Sequence, residues 1–78
     1  MNWSRKFREP IELNTGKQIV TLRDVAQLLI KLPKKRIRSN AYWIEVGLTL
    51  RAIGHHKESI SKLESAIRLA IKAERGAV

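Results

Sequence analysis

The stretch 40–73 constrains the fold of this chain more than any other part of the sequence. It contains two runs in which apolar residues recur with helical spacing, and the segment Gly54-His55-His56 separates them. Each run has an apolar side that must be buried, and helices joined by a short connection pack side by side and antiparallel. We therefore predict two helices folded back on each other.

The first helix of this pair is expected to begin after a cap at Ser39 or Asn40. Its predicted buried stripe consists of Ile44, Leu48 and Ala52, with Val46, Leu50 and Ile53 beside it. Glycine inside a helix costs about 1 kcal/mol relative to alanine, so Gly47 predicts the close approach of a neighbouring backbone. Gly54 suits a C-terminal cap with a left-handed backbone conformation.

The second helix of the pair is predicted over 57–75 and ends at Gly76. Its expected buried stripe is Ile60, Leu63, Ile67, Ala70 and Ile71. Arg68, Lys72 and Arg75 lie near one another on its outer side, close to a helix C-terminus that favours cations in any case. This basic group therefore needs no ligand to explain it.

The N-terminal part of the chain predicts a β-hairpin. Strand patterns occupy 11–13 and 18–21, and a turn signal occupies 14–16. A three-residue loop places Ile19 opposite Ile11, whereas a four-residue loop places Val20 there. Since a slip of one residue exchanges the two faces of a strand, the sequence leaves open whether Ile19 or Val20 is buried.

A further helix is predicted between the hairpin and Pro33, which ends it. Thr21 and Asp24 have the spacing of a capping box, in which each side chain bonds the other residue's backbone N–H. The apolar stripe of this helix comprises Leu22, Val25, Ala26, Leu29 and Leu32. Leu28 and Ile30 widen the stripe, which predicts a central helix contacted on more than one side.

These elements together predict an α+β fold in which an N-terminal β-hairpin is followed by three α-helices. The expected single domain spans 10–75, and a basic segment, 1–9, precedes it and docks Phe7 on the core. The predicted centre of the core is Leu22, Val25, Leu29, Ile44, Leu48, Leu63 and Ile67. With 78 residues and no cysteine, the chain has a small core and no disulfide, which makes a partner chain one candidate source of stability.

Positive charge is the second strong signal in the sequence. Sixteen Lys and Arg against seven Asp and Glu give a formal net charge of +9, which attracts polyanions. The densest cluster lies in a predicted loop at 31–38. The candidate polyanion contacts are Lys34, Lys35, Arg36 and Arg38 in this loop, with Arg5, Lys6 and Arg8 near the N-terminus. A solvated charged loop without a ligand is the alternative interpretation.

No motif for catalysis, for a cofactor or for a metal ion stands out. His55 and His56 are adjacent in a turn, which is a poor arrangement for two ligands of one ion. Glu9 and Glu12 lie on or beside an exposed strand edge and do not indicate an acid–base pair. No apolar run approaches the roughly 20 residues that span a bilayer. We therefore expect a cytoplasmic protein that is not an enzyme and has no membrane partner.

The stretch 40–73 also carries a repeat-like pattern. An aromatic, an apolar and a small residue are spaced as Trp43, Val46 and Gly47, and further matches are Leu50, Gly54, Ile60, Leu63 and Ala66. On these residues the stretch resembles a single tetratricopeptide-like helical hairpin. About three such units are needed to form a continuous core, so the resemblance implies a helix pair and not a peptide-binding solenoid.

A second resemblance covers about 7–74. The matching residues are Phe7, Pro10, Ile11, Val20, Asp24, Ala26, Leu29, Pro33 and Gly54. On them the chain resembles the family called domain of unknown function 982, small uncharacterised proteins of rhizobia and related bacteria. Leu32 stands in place of the family tryptophan, and Ser61-Lys62 in place of an Ala-Arg pair, so the resemblance is to a divergent member. It implies the hairpin-and-helix fold and no particular activity.

Two functions from different classes are consistent with these patterns. The first is a small non-catalytic protein-interaction or regulatory module, with a homodimer formed through the hairpin edge or an exposed helix face. The second is a sequence-independent nucleic-acid-binding protein that uses the basic 31–38 loop. A single contiguous basic face would favour the second function, and an even scatter of charge would favour simple solubility.

Overall fold

The computed structural model describes residues 3–55 and 59–76, and of residues 75 and 76 it describes the backbone only. A two-stranded antiparallel hairpin is followed by helices. The elements in chain order are β1 (Lys6–Glu12), β2 (Gln18–Thr21), α1 (Leu22–Lys31), α2 (Lys34–Ser39), α3 (Tyr42–Gly54) and α4 (Ile60–Gly76). The predicted α+β class and its hairpin-then-helices order are confirmed, with α2 as an additional short helix.

The hairpin closes with a three-residue turn, which decides the register that the sequence leaves open. Ile11 pairs with Ile19, and both side chains are almost fully buried. In the turn the Gly16 N–H donates to the Leu13 carbonyl at 2.9 Å. Gly16 has a φ of 89°, a left-handed conformation that glycine adopts at little cost. The turn therefore directs Ile19 into the core and leaves Val20 only partly buried.

Strand β1 begins at Lys6, upstream of the predicted strand. It carries Phe7 into the core, where its side chain is 6% exposed, whereas Trp3 is 38% exposed. The Leu22 N–H donates to the Arg5 carbonyl at 3.0 Å, so this segment is hydrogen-bonded to the start of α1. The predicted docking of Phe7 is confirmed, and Trp3 lies largely at the surface.

The capping box predicted at the start of α1 is present. The Asp24 N–H donates to Thr21 Oγ1 at 3.3 Å, and Asp24 Oδ2 accepts from the N–H groups of Val20 at 2.9 Å and Thr21 at 3.1 Å. The Val20 N–H is the largest cause that holds the pKa of Asp24 below its ordinary value, and the Thr21 bonds act in the same direction. The box therefore joins the end of β2 to α1 through charge-assisted hydrogen bonds.

The broad buried face predicted for α1 is wrong at Ile30, which is 83% exposed. Val25 is fully buried, and Leu28 and Leu29 are partly buried. Ile30 follows Val25 by five residues, which places it about 140° around the helix from Val25 and away from the core. The helix ends before Pro33, as predicted.

The charged segment that the sequence predicts as a loop is a helix, α2. The Pro33 carbonyl accepts from the N–H groups of Arg36 at 3.0 Å and Ile37 at 3.3 Å. Lysine and arginine are good helix formers, and proline is well tolerated at a helix start. Ile37 packs against the core and so anchors a helix whose other side chains are exposed.

The predicted buried stripe of α3 is wrong at Ile44 and Leu48, whereas the predicted flanking residues Val46, Leu50 and Ile53 are buried. Ile44 and Leu48, assigned to the centre of the core, are 50% and 56% exposed. The buried residues of α3 are Trp43, Val46, Thr49, Leu50 and Ile53. Because α3 carries apolar residues on nearly every side, periodicity alone does not fix its rotation about its axis. The helix buries the side that holds its largest residue, Trp43.

Two glycines predicted to have special roles are ordinary helical residues. A Cβ atom at Gly47 would meet no neighbouring atom within 4 Å, so the predicted close approach is wrong. Gly54 is the last residue of α3, and its C-cap is His55 with a φ of −98°. The predicted left-handed cap at Gly54 is therefore also wrong. The predicted start of the last helix at residue 57 lies outside the described residues.

Helix α4 packs against both α3 and β1 and closes the core. Its predicted stripe is confirmed, since Leu63, Ile67 and Ala70 are fully buried, Ile71 is 7% exposed and Ile60 packs on the core from its edge. The buried hydrophobic core consists of Phe7, Ile11, Leu13, Ile19, Leu22, Val25, Leu32, Trp43, Val46, Leu50, Ile53, Leu63, Ile67, Ala70 and Ile71. Hairpin and helices therefore share one core.

Candidate interaction surfaces

The residues of α3 that turn away from the core create an apolar surface. Tyr42, Ile44 and Leu48 of α3 and Leu69 of α4 are 46%, 50%, 56% and 49% exposed. Ile44 and Leu48 are neighbours one helical turn apart, and Tyr42 and Leu69 line a common depression. We call these four residues the outer face of α3 and α4.

A shallow groove lies between the two helices and includes Tyr42 and Leu69 of the outer face. It has a volume of about 290 Å³, and its lining includes Tyr42, Glu45 and Thr49 of α3 and Lys62, Ala66 and Leu69 of α4. Leu48 follows Glu45 by three residues and so lies beside it on α3, outside the groove lining. Glu45 places an acidic group on the α3 side, while Lys62 and Lys72 place basic groups on the α4 side.

The cations of α2 divide into an exposed set and a paired one. Lys34, Lys35 and Arg38 are exposed, and at about 100° per residue they lie within an arc of about 100° on the helix. Arg36 lies outside this arc and binds Glu74 of α4. We call Lys34, Lys35 and Arg38 the basic face of α2.

The N-terminal polyanion candidates do not join the basic face of α2. Arg5, Lys6 and Arg8 are exposed, and the Arg5 carbonyl is hydrogen-bonded at the start of α1. Helix α2 follows the other end of α1, a helix of 10 residues that is about 15 Å long. The predicted polyanion contacts therefore form two separate groups and not one contiguous face.

Glu74, near the end of α4, is the centre of a polar cluster. Arg36 donates to it through Nη2 at 2.6 Å and Nε at 3.2 Å, and Trp43 Nε1 donates at 2.7 Å. Burial raises the pKa of Glu74, but hydrogen bonds from Arg36, Trp43 and Asn14 outweigh burial and leave the pKa below its ordinary value. The carboxylate therefore connects α4 to α2, α3 and the hairpin turn.

Sequence reasoning missed Glu74, although a signal for it exists. Glu74 follows Ala70 by four residues and Ile71 by three, so it continues the buried stripe of α4. A carboxylate on a buried stripe needs hydrogen-bond partners, and a buried indole N–H such as that of Trp43 needs an acceptor. The two requirements together would have indicated the contact.

Asn40 connects α2, α3 and α4 at the junction between the two surfaces. It is 7% exposed, its Nδ2 donates to the Ala70 carbonyl at 2.8 Å, and its Oδ1 accepts from the Tyr42 N–H at 3.1 Å. The N-cap residue of α3 is Ala41. Asn40, one residue before this cap, therefore supplies the acceptor for an N–H group in the first turn of α3. Ser39, the other predicted cap, donates instead to the Lys35 carbonyl within α2.

The cleft beside the Glu74 cluster is small. A cleft of about 120 Å³ lies between the hairpin turn and the Glu74 cluster, which is well below the roughly 300–1,000 Å³ of most small-molecule sites. Within 3–55 and 59–76, no group of three His, Cys, Asp or Glu is arranged to hold a metal ion. His55 is exposed, and His56 lies outside the described residues. Among the helices described, none is both long and apolar enough to cross a membrane.

Comparison of this chain with protein families, with curated proteins and with solved structures finds no match. The fold alone defines its class, a small α+β globule in which a two-stranded hairpin precedes helices. Helices α3 and α4 pack closely as a helical hairpin. The tetratricopeptide likeness and the membership of the domain of unknown function 982 family stay predictions.

Proposed function

We propose that this protein is a non-catalytic protein-interaction module that self-associates through the outer face of α3 and α4. The observation that carries the proposal is that Tyr42, Ile44, Leu48 and Leu69 are each about half exposed on α3 and α4. Tyr42 and Leu69 line one depression, and exposed apolar patches on a small protein often mark interaction sites. Water is a poor environment for this surface, and association covers it.

The hairpin edge is a less suitable contact surface. Strand β1 exposes Arg8, Glu9, Pro10 and Glu12, and its register with β2 is irregular between Lys6 and Ile11. Charged side chains, proline and irregular pairing are the features by which edge strands resist pairing with another chain. Of the two routes to self-association, the outer helix face is therefore the better supported.

A second copy of the chain is a suitable occupant of the outer face. In a two-fold dimer the same patch meets itself, so α3 of each copy can lie against α4 of the other. This brings Glu45 on one copy towards Lys62 on the other, because Glu45 lines the groove from α3 and Lys62 lines it from α4. The net charge of +9 on each copy opposes contact, but its field is screened over about 8 Å at physiological ionic strength.

The contribution of Leu48 to such a dimer follows from its exposure. Burying a leucine fully contributes about 1.5–3 kcal/mol, so the half of Leu48 that is still exposed corresponds to about 1 kcal/mol per copy. Leu48→Ser removes this contribution twice in a symmetric dimer, which is about 2 kcal/mol. The dissociation constant should therefore rise about 30-fold.

Sedimentation equilibrium across a wide concentration range tests the proposal. The wild-type mass should rise towards that of a dimer, and Leu48→Ser should shift this rise to higher concentration. Ile30→Ser is the matched control, since Ile30 is exposed on α1 outside the outer face. Added salt should strengthen the dimer, because it screens the repulsion between two copies that each carry a net charge of +9. A wild-type protein that stays monomeric throughout, or equal effects of the two substitutions, would refute the proposal.

A further inference from the structure

We propose that the basic face of α2 binds the phosphate backbone of nucleic acid without reading its sequence. This site is separate from the outer face of α3 and α4, and the proposal does not rest on self-association. It assigns a ligand class to Lys34, Lys35 and Arg38 and excludes Arg36 from direct contact. The argument depends on the orientation of these side chains, on their spacing and on the charge of the whole molecule.

The packing of α2 directs its cations outward. Ile37 packs on the core, and Arg36 is held by two hydrogen bonds to Glu74. These two contacts hold the side of α2 that carries Arg36 and Ile37 against the rest of the protein. Lys34, Lys35 and Arg38 occupy the remaining exposed arc, and α2 itself contains no acidic residue. The basic face is therefore held in place by groups that do not belong to it.

The dimensions of the basic face match a phosphate backbone. A helix of 6 residues is about 9 Å long. A strand of B-DNA carries one negative charge per about 3.4 Å of helix axis, so α2 spans about three phosphates. Lysine binds phosphate as a compact charge and arginine as a fork, and neither needs a base edge for this contact. The long-range attraction of a chain with a net charge of +9 adds to the local contacts.

Arg36 has a different role, because its guanidinium already binds a carboxylate. The Arg36–Glu74 pair orients α2, and breaking it to contact phosphate would leave Glu74 with one neutralising partner fewer. We expect Arg36→Gln to lower stability and to leave the number of phosphate contacts unchanged. This behaviour separates a positioning residue from a contact residue.

The N-terminal cations supply a control of equal charge. Replacing Lys34, Lys35 and Arg38 with glutamine lowers the formal net charge by three, and replacing Arg5, Lys6 and Arg8 does the same. The three positions replaced in each variant are exposed, so neither set of changes disturbs the core. Glutamine keeps helix propensity close to that of lysine and arginine, so α2 should persist. Because the two variants have the same net charge, a difference in their DNA binding shows that the position of the cations matters.

The test measures binding of a fluorescein-labelled mixed-sequence DNA duplex by anisotropy between about 50 and 200 mM salt. Three phosphate contacts contribute about 2.7 to the slope of log affinity against log salt, a fall in affinity of about 40-fold over this range. The α2 variant should lose this part of the slope. The N-terminal variant and Arg36→Gln should keep it. Thermal melting of each variant confirms that the fold is intact.

Several results would overturn the proposal. One is the absence of wild-type binding to the duplex at the lowest salt. Another is an equal loss of slope in the α2 and N-terminal variants, which would show that net charge alone attracts DNA. A third is that Arg36→Gln lowers the slope of log affinity against log salt by as much as the loss of one phosphate contact would. The last is binding to phosphatidylserine vesicles through the same residues with greater affinity than to DNA, which would identify a lipid surface as the ligand.

Discussion

Glu74 offers the sharpest test of how the helices are held together. Its side chain is 19% exposed and accepts from Arg36 and from the indole of Trp43. Glu74→Gln keeps the shape and an acceptor oxygen but removes the charge. The Arg36 side of the pair is 47% exposed, so this ion pair contributes only about 0.5–1 kcal/mol.

The Trp43 bond adds to this value. A hydrogen bond to a charged acceptor contributes about 1.5–3 kcal/mol, against about 0.5–1.5 kcal/mol for a neutral one, so the change from Glu to Gln weakens it by about 1 kcal/mol. The C-terminal end of α4 disfavours a carboxylate by about 0.5 kcal/mol, which offsets part of the loss. We expect Glu74→Gln to lower the free energy of unfolding by about 1–1.5 kcal/mol. Glu74→Ala should cost about 3 kcal/mol, because Trp43 is buried and its N–H is then left without this acceptor.

Urea denaturation at several pH values measures both the size and the origin of the effect. The folded pKa of Glu74 is depressed, so its stabilisation is present above the unfolded pKa of about 4.3 and is lost as pH falls through the folded value. The difference between wild type and Glu74→Gln should therefore shrink towards zero in acid. The pKa of Asp24 is lowered as well, but Asp24 is present in both proteins. Its contribution to the pH dependence of stability therefore cancels when wild type and Glu74→Gln are compared.

Glu64→Gln is the matched control for Glu74→Gln. It makes the same substitution on the same helix, where Glu64 pairs with Arg68 at 3.0 Å on the surface. An exposed pair one turn apart contributes about 0.3–0.5 kcal/mol. Equal losses for the two variants, or a Glu74 effect that does not change with pH, would refute the role assigned to the cluster.

Two further substitutions test local features of the backbone. Gly47→Ala should stabilise the protein by about 1 kcal/mol and raise Tm by about 4–8 °C in calorimetry, because no neighbouring atom lies near the added Cβ. An unchanged or lower Tm would show that a neighbour does approach Gly47. Thr21→Ala should lower the free energy of unfolding in urea by about 1 kcal/mol, because the Asp24 N–H loses its acceptor. No loss in this variant would contradict the capping box.

Features set by fixed local spacing could be read from the sequence. The capping box needs only Thr21 and Asp24 three residues apart, and the end of α1 needs only Pro33. The stripe of α4 was predicted because polar residues cover most of its other sides, so one rotation of that helix buries all its large apolar groups except Leu69. In each of these cases one chemical requirement selects one local structure.

The rotation of α3 could not be read in the same way. Ile44 and Leu48 have the same helical spacing as a core stripe, and so do the residues beside Trp43. Both choices bury apolar side chains, and the decision depends on tertiary contacts. The structure pairs the buried indole of Trp43 with Glu74, which is 31 residues away in sequence. This contact favours one rotation, and the outer face of α3 and α4 is its consequence.

The basic cluster was visible in the sequence, but its separation into an exposed set and a paired arginine was not. Five consecutive residues with four cations look like one charged surface. Their helical arrangement separates Arg36 from Lys34, Lys35 and Arg38, and the partner that removes Arg36 lies 38 residues further along the chain. Charge density is a property of composition, whereas a binding face also requires a fixed geometry.

We expect the two proposed surfaces to influence each other through charge. Helix α2 adjoins α3, and Asn40 holds the junction between the two helices. Self-association brings two copies of charge +9 together, while a bound polyanion neutralises part of that charge. Nucleic acid should therefore favour the dimer, and the dimer, with two basic faces, should bind nucleic acid more tightly, since such coupling is reciprocal. Salt alone should strengthen the proposed dimer and weaken the proposed nucleic-acid complex, so a salt titration would distinguish the two activities even in one molecule.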